Sequence, residues 1–120
     1  MADAPPPTEI RVRRASARLD VAFGDGAHWQ LPAEYLRVES PSAAVQGHTP
    51  DQKKLVAGKR DVNIAAVEPV GHYAVRIRFT DGHDTGIFSW DLLQRLGREQ
   101  EERWAAYLHA LAERGLSRDA

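Results

Sequence analysis

The amino-acid sequence predicts the α+β class: a twisted antiparallel sheet built from two hairpin-plus-helix units, with a C-terminal helix packed on one face. Two stretches in which apolar and polar residues alternate each contain an Asp-Gly turn, a pattern typical of a hairpin with one buried face. A segment with helical spacing follows each hairpin, and a longer amphipathic segment follows the second unit. The 120 residues suffice for one modest core, so we expect a single domain.

The first unit begins with a strand and its return strand, whose apolar positions are Leu19, Val21 and Phe23, then Trp29 and Leu31. The Gly-Asp-Gly sequence at residues 24–26 tolerates positive φ and so favours a tight turn between them. Pro32 stands at a favourable first position of a short helix, in which Tyr35 and Leu36 face the core.

The second unit starts with an apolar strand in the segment DVNIAAVEPV and continues with a second hairpin. The hairpin turns at Asp81 and Gly82, and we expect one face of its first strand to be lined by Tyr73, Val75, Ile77 and Phe79. Ser89 is suited to cap a helix that presents Leu92, Leu93 and Leu96, and we expect Gly97 to break or bend it. The two units match at one fixed offset, which pairs Phe23 with Phe79, Leu31 with Ile87, and Leu36 with Leu92.

The remaining segments set the domain boundaries. We expect a flexible proline-rich leader at residues 1–9, one domain at residues 10–115 and a tail at residues 116–120. A polar loop should extend over residues 39–60, with one turn of helix around residues 51–55. The last helix places apolar residues at helical spacing and ends at Gly115; these residues are Trp104, Tyr107, Leu108 and Leu111.

Composition excludes several classes of function. The formal net charge is −1, so long-range electrostatics favour neither nucleic acid nor membrane surfaces as partners. The chain has no cysteine, which rules out thiolate catalysis and cysteine-ligated iron-sulfur clusters within it. The N-terminal residues lack the basic and apolar regions of a signal peptide, and we therefore expect a cytoplasmic protein.

No catalytic residue and no cofactor-binding residue can be assigned from motifs. The five histidines do not form the short spacings of a metal site, and no G-x-S-x-G sequence is present. The AGKRD segment lacks the upstream glycine and the Ser/Thr of a phosphate-binding loop. Arginines at residues 11–14, with Arg76 and Arg78, either form a positive strip that recognises an acidic partner or lie on the solvated faces of strands.

Three segments carry a family resemblance: LRVESPSAAVQGH, GKRDVNIAAVEPVGHYAVRIRFTDGHDTGIFSWDLL and LGREQEERWAAYL. The chain resembles the gamma-butyrobetaine hydroxylase-like N-terminal domain family, long known as a domain of unknown function. In the oxygenases of carnitine synthesis, this domain precedes a catalytic barrel that the present sequence lacks. There it holds a structural zinc ion through a C-P-C-x-x-C run and one later histidine.

The resemblance places the three cysteine positions on Ser40, Ser42 and Val45, and the histidine position on His83. Serine hydroxyls are poor zinc ligands and valine is none, so it implies a degenerate zinc site with no bound metal. We expect His83 to form a hydrogen bond across the old pocket. An alternative is a replacement metal site in which His48 joins His83 and either Asp84 or Glu39.

The sequence therefore favours a non-enzymatic accessory module that binds another protein. The resemblance suggests a P-loop ATPase that carries iron-sulfur clusters as the partner, because similar domains are attached to such ATPases. The alternative function is a metal-binding or small-ligand-binding protein centred on His83, with zinc as the candidate ion. A hydrolase is a third alternative, and the oligomeric state stays open.

Overall fold

The computed structural model describes residues 5–47 and 53–119. Its strands are β1 (Glu9–Arg13), β2 (Arg18–Ala22), β3 (His28–Pro32), β4 (Ile64–Val70), β5 (Ala74–Phe79) and β6 (Gly86–Ser89). Its α-helices are α1 (Ala33–Val38), α2 (Ala43–Gln46), α3 (Trp90–Arg98) and α4 (Gln100–Glu113). A short 3-10 helix joins β1 to β2. None of the helices within the described residues is long and apolar enough to cross a lipid bilayer.

The strands form two three-stranded antiparallel sheets, in the orders β1-β2-β3 and β4-β5-β6. Each sheet contains one of the two predicted hairpins, and each hairpin leads directly into a helix, α1 or α3. The α+β class, the antiparallel pairing, the two hairpin-plus-helix units and the C-terminal helix are therefore confirmed. The strands form two sheets rather than the single predicted one, since each described strand pairs only with strands of its own unit.

One hydrophobic core joins the two units. Apolar side chains from β2 and β3 pack in the same cluster as side chains from β5, β6 and α3; the fully buried members include Leu19, Leu31, Ile77, Phe88 and Leu93. The guanidinium group of Arg14 also donates hydrogen bonds to the carbonyl groups of Ile64 and Ala65, at 3.3 and 2.9 Å. The first sheet is thus tied to the first strand of the second sheet.

The two hairpin turns have the same hydrogen bonds. Phe23 N–H donates to the carbonyl of Ala27 at 2.8 Å, and Phe79 N–H donates to that of His83 at 2.9 Å. Gly26 and Gly82 have φ of 91° and 92°, which L side chains rarely adopt. The repeat predicted from the sequence is therefore present at the turns.

The fixed offset between the two units no longer holds beyond the hairpin turns. The second turn has one residue more than the first before its return strand begins. Leu31 pairs with Leu19, whereas the position that matches Leu19 in β5, Val75, pairs with Phe88. The structural counterpart of Leu31 is therefore Phe88. Ile87, the predicted counterpart, points outward and is 45% exposed.

The structure also bears on the expectations for Tyr73 and Gly97, and the one for Tyr73 was wrong. Tyr73 is 60% exposed, because it lies in the turn before β5 rather than within the strand. Gly97 itself lies within α3, which ends one residue later at Arg98, and α4 begins at Gln100. A Cβ atom on Gly97 would lie 2.3 Å from the indole ring of Trp29, so the glycine serves the close packing of α3 on that ring.

The polar loop contains α2, which the sequence did not predict, and its N-cap is Ser42. Of the helical turn predicted at residues 51–55, residues 51 and 52 lie outside the described part, and Lys53 to Leu55 are not helical. The boundaries of leader, domain and tail stay predictions. Within the predicted tail, Arg118 forms a paired contact with the buried Glu34, at 2.6 and 2.8 Å.

Candidate functional site

The structure brings the α1–α2 loop against the second hairpin turn through two pairs of side chains. Ser40 Oγ and His83 Nε2 are 2.9 Å apart, and Ser42 Oγ and Thr85 Oγ1 are 2.5 Å apart. We call these four residues the loop–turn contact. The predicted hydrogen bond of His83 across the pocket is present, and its partner is Ser40.

The backbone around the loop–turn contact is built for close approach. Ser42 caps α2 by accepting a hydrogen bond from Ala44 N–H at 3.2 Å, which fixes the direction of the loop. A Cβ atom on Gly86 would lie 2.3 Å from Ser40 Oγ, so β6 can approach Ser40 only because this residue is glycine. Ser40 is fully buried and Val45 is 2% exposed.

Charged side chains surround the turn that carries His83. Asp81 accepts hydrogen bonds from Lys59 Nζ at 2.7 Å, from Arg37 Nε at 2.8 Å, and from the backbone N–H of His83 at 3.1 Å. Burial by itself would raise the pKa of Asp81, but these hydrogen bonds lower it to about 2. Asp81 is therefore a carboxylate at neutral pH and orients the turn.

The surroundings of His83 favour its neutral form. Partial burial lowers the pKa of His83, the positive charge of Arg37 lowers it further, and Asp81 and Asp84 only partly oppose this. Arg37 Nη1 is buried beside this turn and has no hydrogen-bond partner among the described residues. The site thus combines a neutral imidazole, a buried hydroxyl and a guanidinium group.

The residues at the four family positions do not fit a zinc ion. Ser40 and Ser42 supply neutral hydroxyl groups, Val45 supplies no donor atom, and His83 alone supplies a common zinc ligand. Both hydroxyl groups already make hydrogen bonds within the fold. The donor set offers one good ligand where a structural zinc ion needs four.

The replacement metal site is not assembled by the residues that the structure describes. His48 lies outside them. Glu39 forms ion pairs with Lys53 and Arg103, and Asp84 lies on the exposed turn. Within residues 5–47 and 53–119, no three His, Asp or Glu side chains come together in a way that could hold a metal ion.

Two other sequence hypotheses can be placed on the structure. The complete burial of Ser40 keeps its hydroxyl out of reach of a substrate, although it lies beside a histidine. The strand arginines lie on outer sheet faces next to carboxylates: Arg13 binds Asp20, while Arg76 and Arg78 share Glu68. The arginines are thus largely compensated within their own sheets, which favours the solvated-face interpretation.

The sequence did not predict an aromatic groove beside α4. The groove has a volume of about 690 Å³ and is lined by the half-buried rings of Trp29 and Trp104, by Tyr35, and at its edge by Leu108. Leu108, one of the apolar residues at helical spacing in the last helix, is 39% exposed. A stripe pattern could not reveal this groove, because it forms only where β3, α1 and the α3–α4 corner meet.

These features define a small α+β domain with a main core shared by its two units, a side-chain contact between its loop and its second hairpin, and an aromatic groove. The chain belongs to the gamma-butyrobetaine hydroxylase-like N-terminal domain family, whose family model matches residues 10–94. The resemblance seen in the sequence is thereby confirmed. No curated protein matches the chain.

Solved structures support the assignment. Two proteins with solution NMR structures share 45% and 43% sequence identity with the chain, with TM-scores of 0.84 and 0.85. The alignments cover 97% and 98% of this chain and 91% and 88% of the other two. A protein of unknown function from Acidithiobacillus ferrooxidans, of the DUF971 family, is 43% identical with a TM-score of 0.65, covering 77% of this chain and 92% of its own.

Proposed function

We propose that this domain is a non-enzymatic accessory module that acts by binding another protein. The observation that carries the proposal is the aromatic groove, where two half-buried tryptophans and an exposed leucine meet. Exposed apolar surface of this kind is costly in water and is typical of interaction sites, in which aromatic residues supply much of the binding energy. The loop–turn contact, by contrast, is satisfied internally and serves the fold.

We propose a P-loop ATPase that carries iron-sulfur clusters as the partner. The support is the family resemblance, since domains of this kind are attached to such ATPases. The chain contains no cysteine, so its contribution would be docking or regulation rather than cluster ligation.

Direct binding to the purified ATPase of the same host tests this function. We expect a complex in size-exclusion chromatography and native mass spectrometry, and we expect Leu108→Glu to abolish it by placing a charge at the groove. Ile87→Glu is the matched control, because Ile87 has a similar exposed fraction but lies on the outer face of β6. Absence of a complex at micromolar concentrations, or equal loss with both variants, would overturn the proposal.

We also propose that the zinc site of the family is lost in this chain. The support is the donor set of two hydroxyl groups, one valine and one imidazole. If three ligands were lost, restoring them should restore the site: the triple variant Ser40→Cys, Ser42→Cys, Val45→Cys should bind one zinc ion tightly. Adding His83→Ala to the triple variant should weaken binding.

The same titration on the unmodified chain tests the alternative function centred on His83. Stoichiometric zinc binding at micromolar metal that His83→Ala removes would make the protein a metalloprotein and refute the loss of the site. Residue His48 can then be tested as the further ligand by His48→Ala.

A further inference from the structure

The chain contains two Asp-Gly sequences, at residues 25–26 and 81–82, and each lies in a hairpin turn. In each turn the glycine N–H donates to the carbonyl of the phenylalanine at the start of the turn, at 3.1 Å. The two glycines have φ of 91° and 92°. The two sites share these backbone features, so a difference in their reactivity would come from their surroundings.

The aspartate side chain folds back over the following peptide in both turns. Asp25 Oδ1 accepts a hydrogen bond from Ala27 N–H at 2.9 Å, and Asp81 Oδ1 accepts one from His83 N–H at 3.1 Å. Such an Asx turn keeps the carboxyl group close to the glycine nitrogen between the two bonded residues. Neither glycine carries a side chain, and a Cβ atom built on either would have no neighbour within 4 Å.

The two carboxyl groups differ at their second oxygen. Asp81 Oδ2 accepts hydrogen bonds from Lys59 Nζ at 2.7 Å and from Arg37 Nε at 2.8 Å, and this side chain is 16% exposed. Asp25 lies at the exposed tip of the first turn, and its Oδ2 makes no hydrogen bond or ion pair within residues 5–47 and 53–119. The carboxyl group of Asp25 can therefore turn toward Gly26, whereas that of Asp81 is held.

We propose that Asp25 is a site of spontaneous covalent modification, at which the link to Gly26 rearranges to isoaspartate. The Gly26 nitrogen attacks the side-chain carboxyl carbon of Asp25 and forms a new C–N bond. The nitrogen loses its proton and the carboxyl group loses one oxygen, so one water molecule leaves and a succinimide ring remains. Water then reopens the ring. Attack on the side-chain carbonyl restores aspartate, and attack on the backbone carbonyl leaves the main chain running through the side chain.

The same reaction is opposed at Asp81. The succinimide ring is uncharged, so its formation removes the ion pairs of Asp81 with Lys59 and Arg37, whichever oxygen leaves. The loss of even one charge-assisted hydrogen bond slows a step by about tenfold. The ion pairs that orient the second turn therefore also protect it chemically, and the first turn has no equivalent.

The product would change the first turn and its recognition. An isoaspartyl link adds one carbon atom to the main chain between Phe23 and Ala27, whose N–H and carbonyl are 2.8 Å apart in the intact turn. It also leaves a free α-carboxylate at an exposed position. This group is the substrate of methyltransferases that repair isoaspartate, which defines the class of enzyme that would act on an aged molecule.

Peptide mapping of the full chain tests the proposal. The folded protein is kept at neutral pH and moderate temperature and is then digested with trypsin, which releases Asp25 in residues 19–37 and Asp81 in residues 79–95. Isoaspartyl peptides keep their mass but separate in chromatography, and the succinimide is lighter by one water molecule. We expect isoaspartate to form in residues 19–37 faster than in residues 79–95, by about tenfold or more.

Two comparisons assign the difference to the folded structure. In concentrated guanidinium chloride, which removes the ion pairs, we expect the two peptides to react at similar rates. In the folded chain, Lys59→Gln should speed the reaction at Asp81 several-fold. Arg60→Gln is the matched control and should leave that rate unchanged, because Arg60 pairs with Asp119 instead.

Equal rates in the two peptides of the folded chain would overturn the proposal. So would the absence of isoaspartate at Asp25 in the folded chain when the denatured chain forms it, since the first turn would then be protected as well. An equal effect of Lys59→Gln and Arg60→Gln on Asp81 would refute protection by the ion pairs. The denaturant comparison needs no variant, so the test stands even if Lys59→Gln does not fold.

Discussion

Gly86 is the residue on which the loop–turn contact depends, because a Cβ atom there would collide with Ser40 Oγ. We expect Gly86→Ala to lower the free energy of unfolding by about 1–3 kcal/mol, the usual cost of overpacking a well-packed core. Urea denaturation followed by circular dichroism measures this. A nearly unchanged free energy of unfolding would show that the added Cβ atom causes no clash.

A double-mutant cycle separates the clash from other effects. Ser40→Ala alone should cost about 1 kcal/mol, because it removes the hydrogen bond to His83. In that background Gly86→Ala should cost clearly less than in the unmodified chain, since the Oγ atom is gone. Additive costs would show that the collision with Phe88, where the added Cβ comes within 3.1 Å, is the cause instead.

The depressed pKa of His83 predicts a pH dependence of stability. As pH falls, the unfolded chain takes up a proton near pH 6.5, whereas the folded chain does so only at the lower pKa. The contribution of His83 is therefore complete above pH 6.5 and is lost as pH falls through the folded pKa. We expect the urea concentration at the unfolding midpoint to decrease as the pH is lowered from about 7.5 to about 5.5. The ordinary histidine pKa sets this pH range.

His83→Gln is the control for this prediction, because glutamine can keep a hydrogen bond to Ser40 but does not titrate. The variant should lose less stability than the unmodified chain over the same pH range. An equal loss in both would assign the pH dependence to other groups. Asp81 stays ionised throughout this range, since its pKa is about 2.

At the residue scale, sequence and resemblance placed Ser40 and His83 together, although they are 43 positions apart. The ion pairs of Asp81 with Arg37 and Lys59 could not be predicted, because many charged residues were equally eligible and only the folded loop selects among them.

At the element scale, α4 and the segment after it hold α1. Arg118 pairs with both carboxylate oxygens of Glu34, whose side chain is only 7% exposed. Arg118→Ala would leave this carboxylate nearly buried and unpaired. We expect Arg118→Ala to lower the free energy of unfolding, measured by thermal or urea denaturation, by about 2–3 kcal/mol. This cost is at the low end for a buried ion pair, because the Arg118 side chain keeps some exposure.

The neighbouring Arg114→Ala is the matched control for this element. Arg114 is exposed, and we expect a change within about 0.5 kcal/mol, as for an ordinary surface substitution. If the two variants behave alike, the segment after α4 does not contribute to stability.

The hairpins and helices could be predicted from the sequence, because the residues that form their turns and caps lie within or next to each element. Ser89 caps α3 as predicted, accepting a hydrogen bond from Leu92 N–H at 3.1 Å. The second role of Gly97, its close packing on the ring of Trp29, could not be predicted because Trp29 lies far away in sequence. The additional residue in the second turn was missed because the turn motif itself is unchanged.

At the scale of the whole molecule, the two units share a core that neither can complete alone. A fragment of residues 1–56 contains β1 to β3, α1 and α2 but loses every core residue of the second unit. We expect this fragment to show no cooperative unfolding transition. In the full chain, tryptophan fluorescence and circular dichroism should report one coincident transition.

A folded fragment, or separate transitions for the two probes, would contradict the single core. The sequence could predict the class of the fold and its two units, yet not their division into two sheets. In the structure each sheet is formed by three strands that follow one another in the chain, with β1 paired to β2 and β4 paired to β5.

The repeated turn shows how unequal two copies of one module can become. Ala27 and His83 occupy the same place in turns with the same backbone hydrogen bonds, yet only the second turn reaches across to the α1–α2 loop. The second hairpin turn differs from the first by one additional residue and by a histidine in place of an alanine. With these differences it holds the α1–α2 loop through a side-chain hydrogen bond. Exchanging the two turn sequences would test whether the hairpins are interchangeable parts or have become committed to their positions.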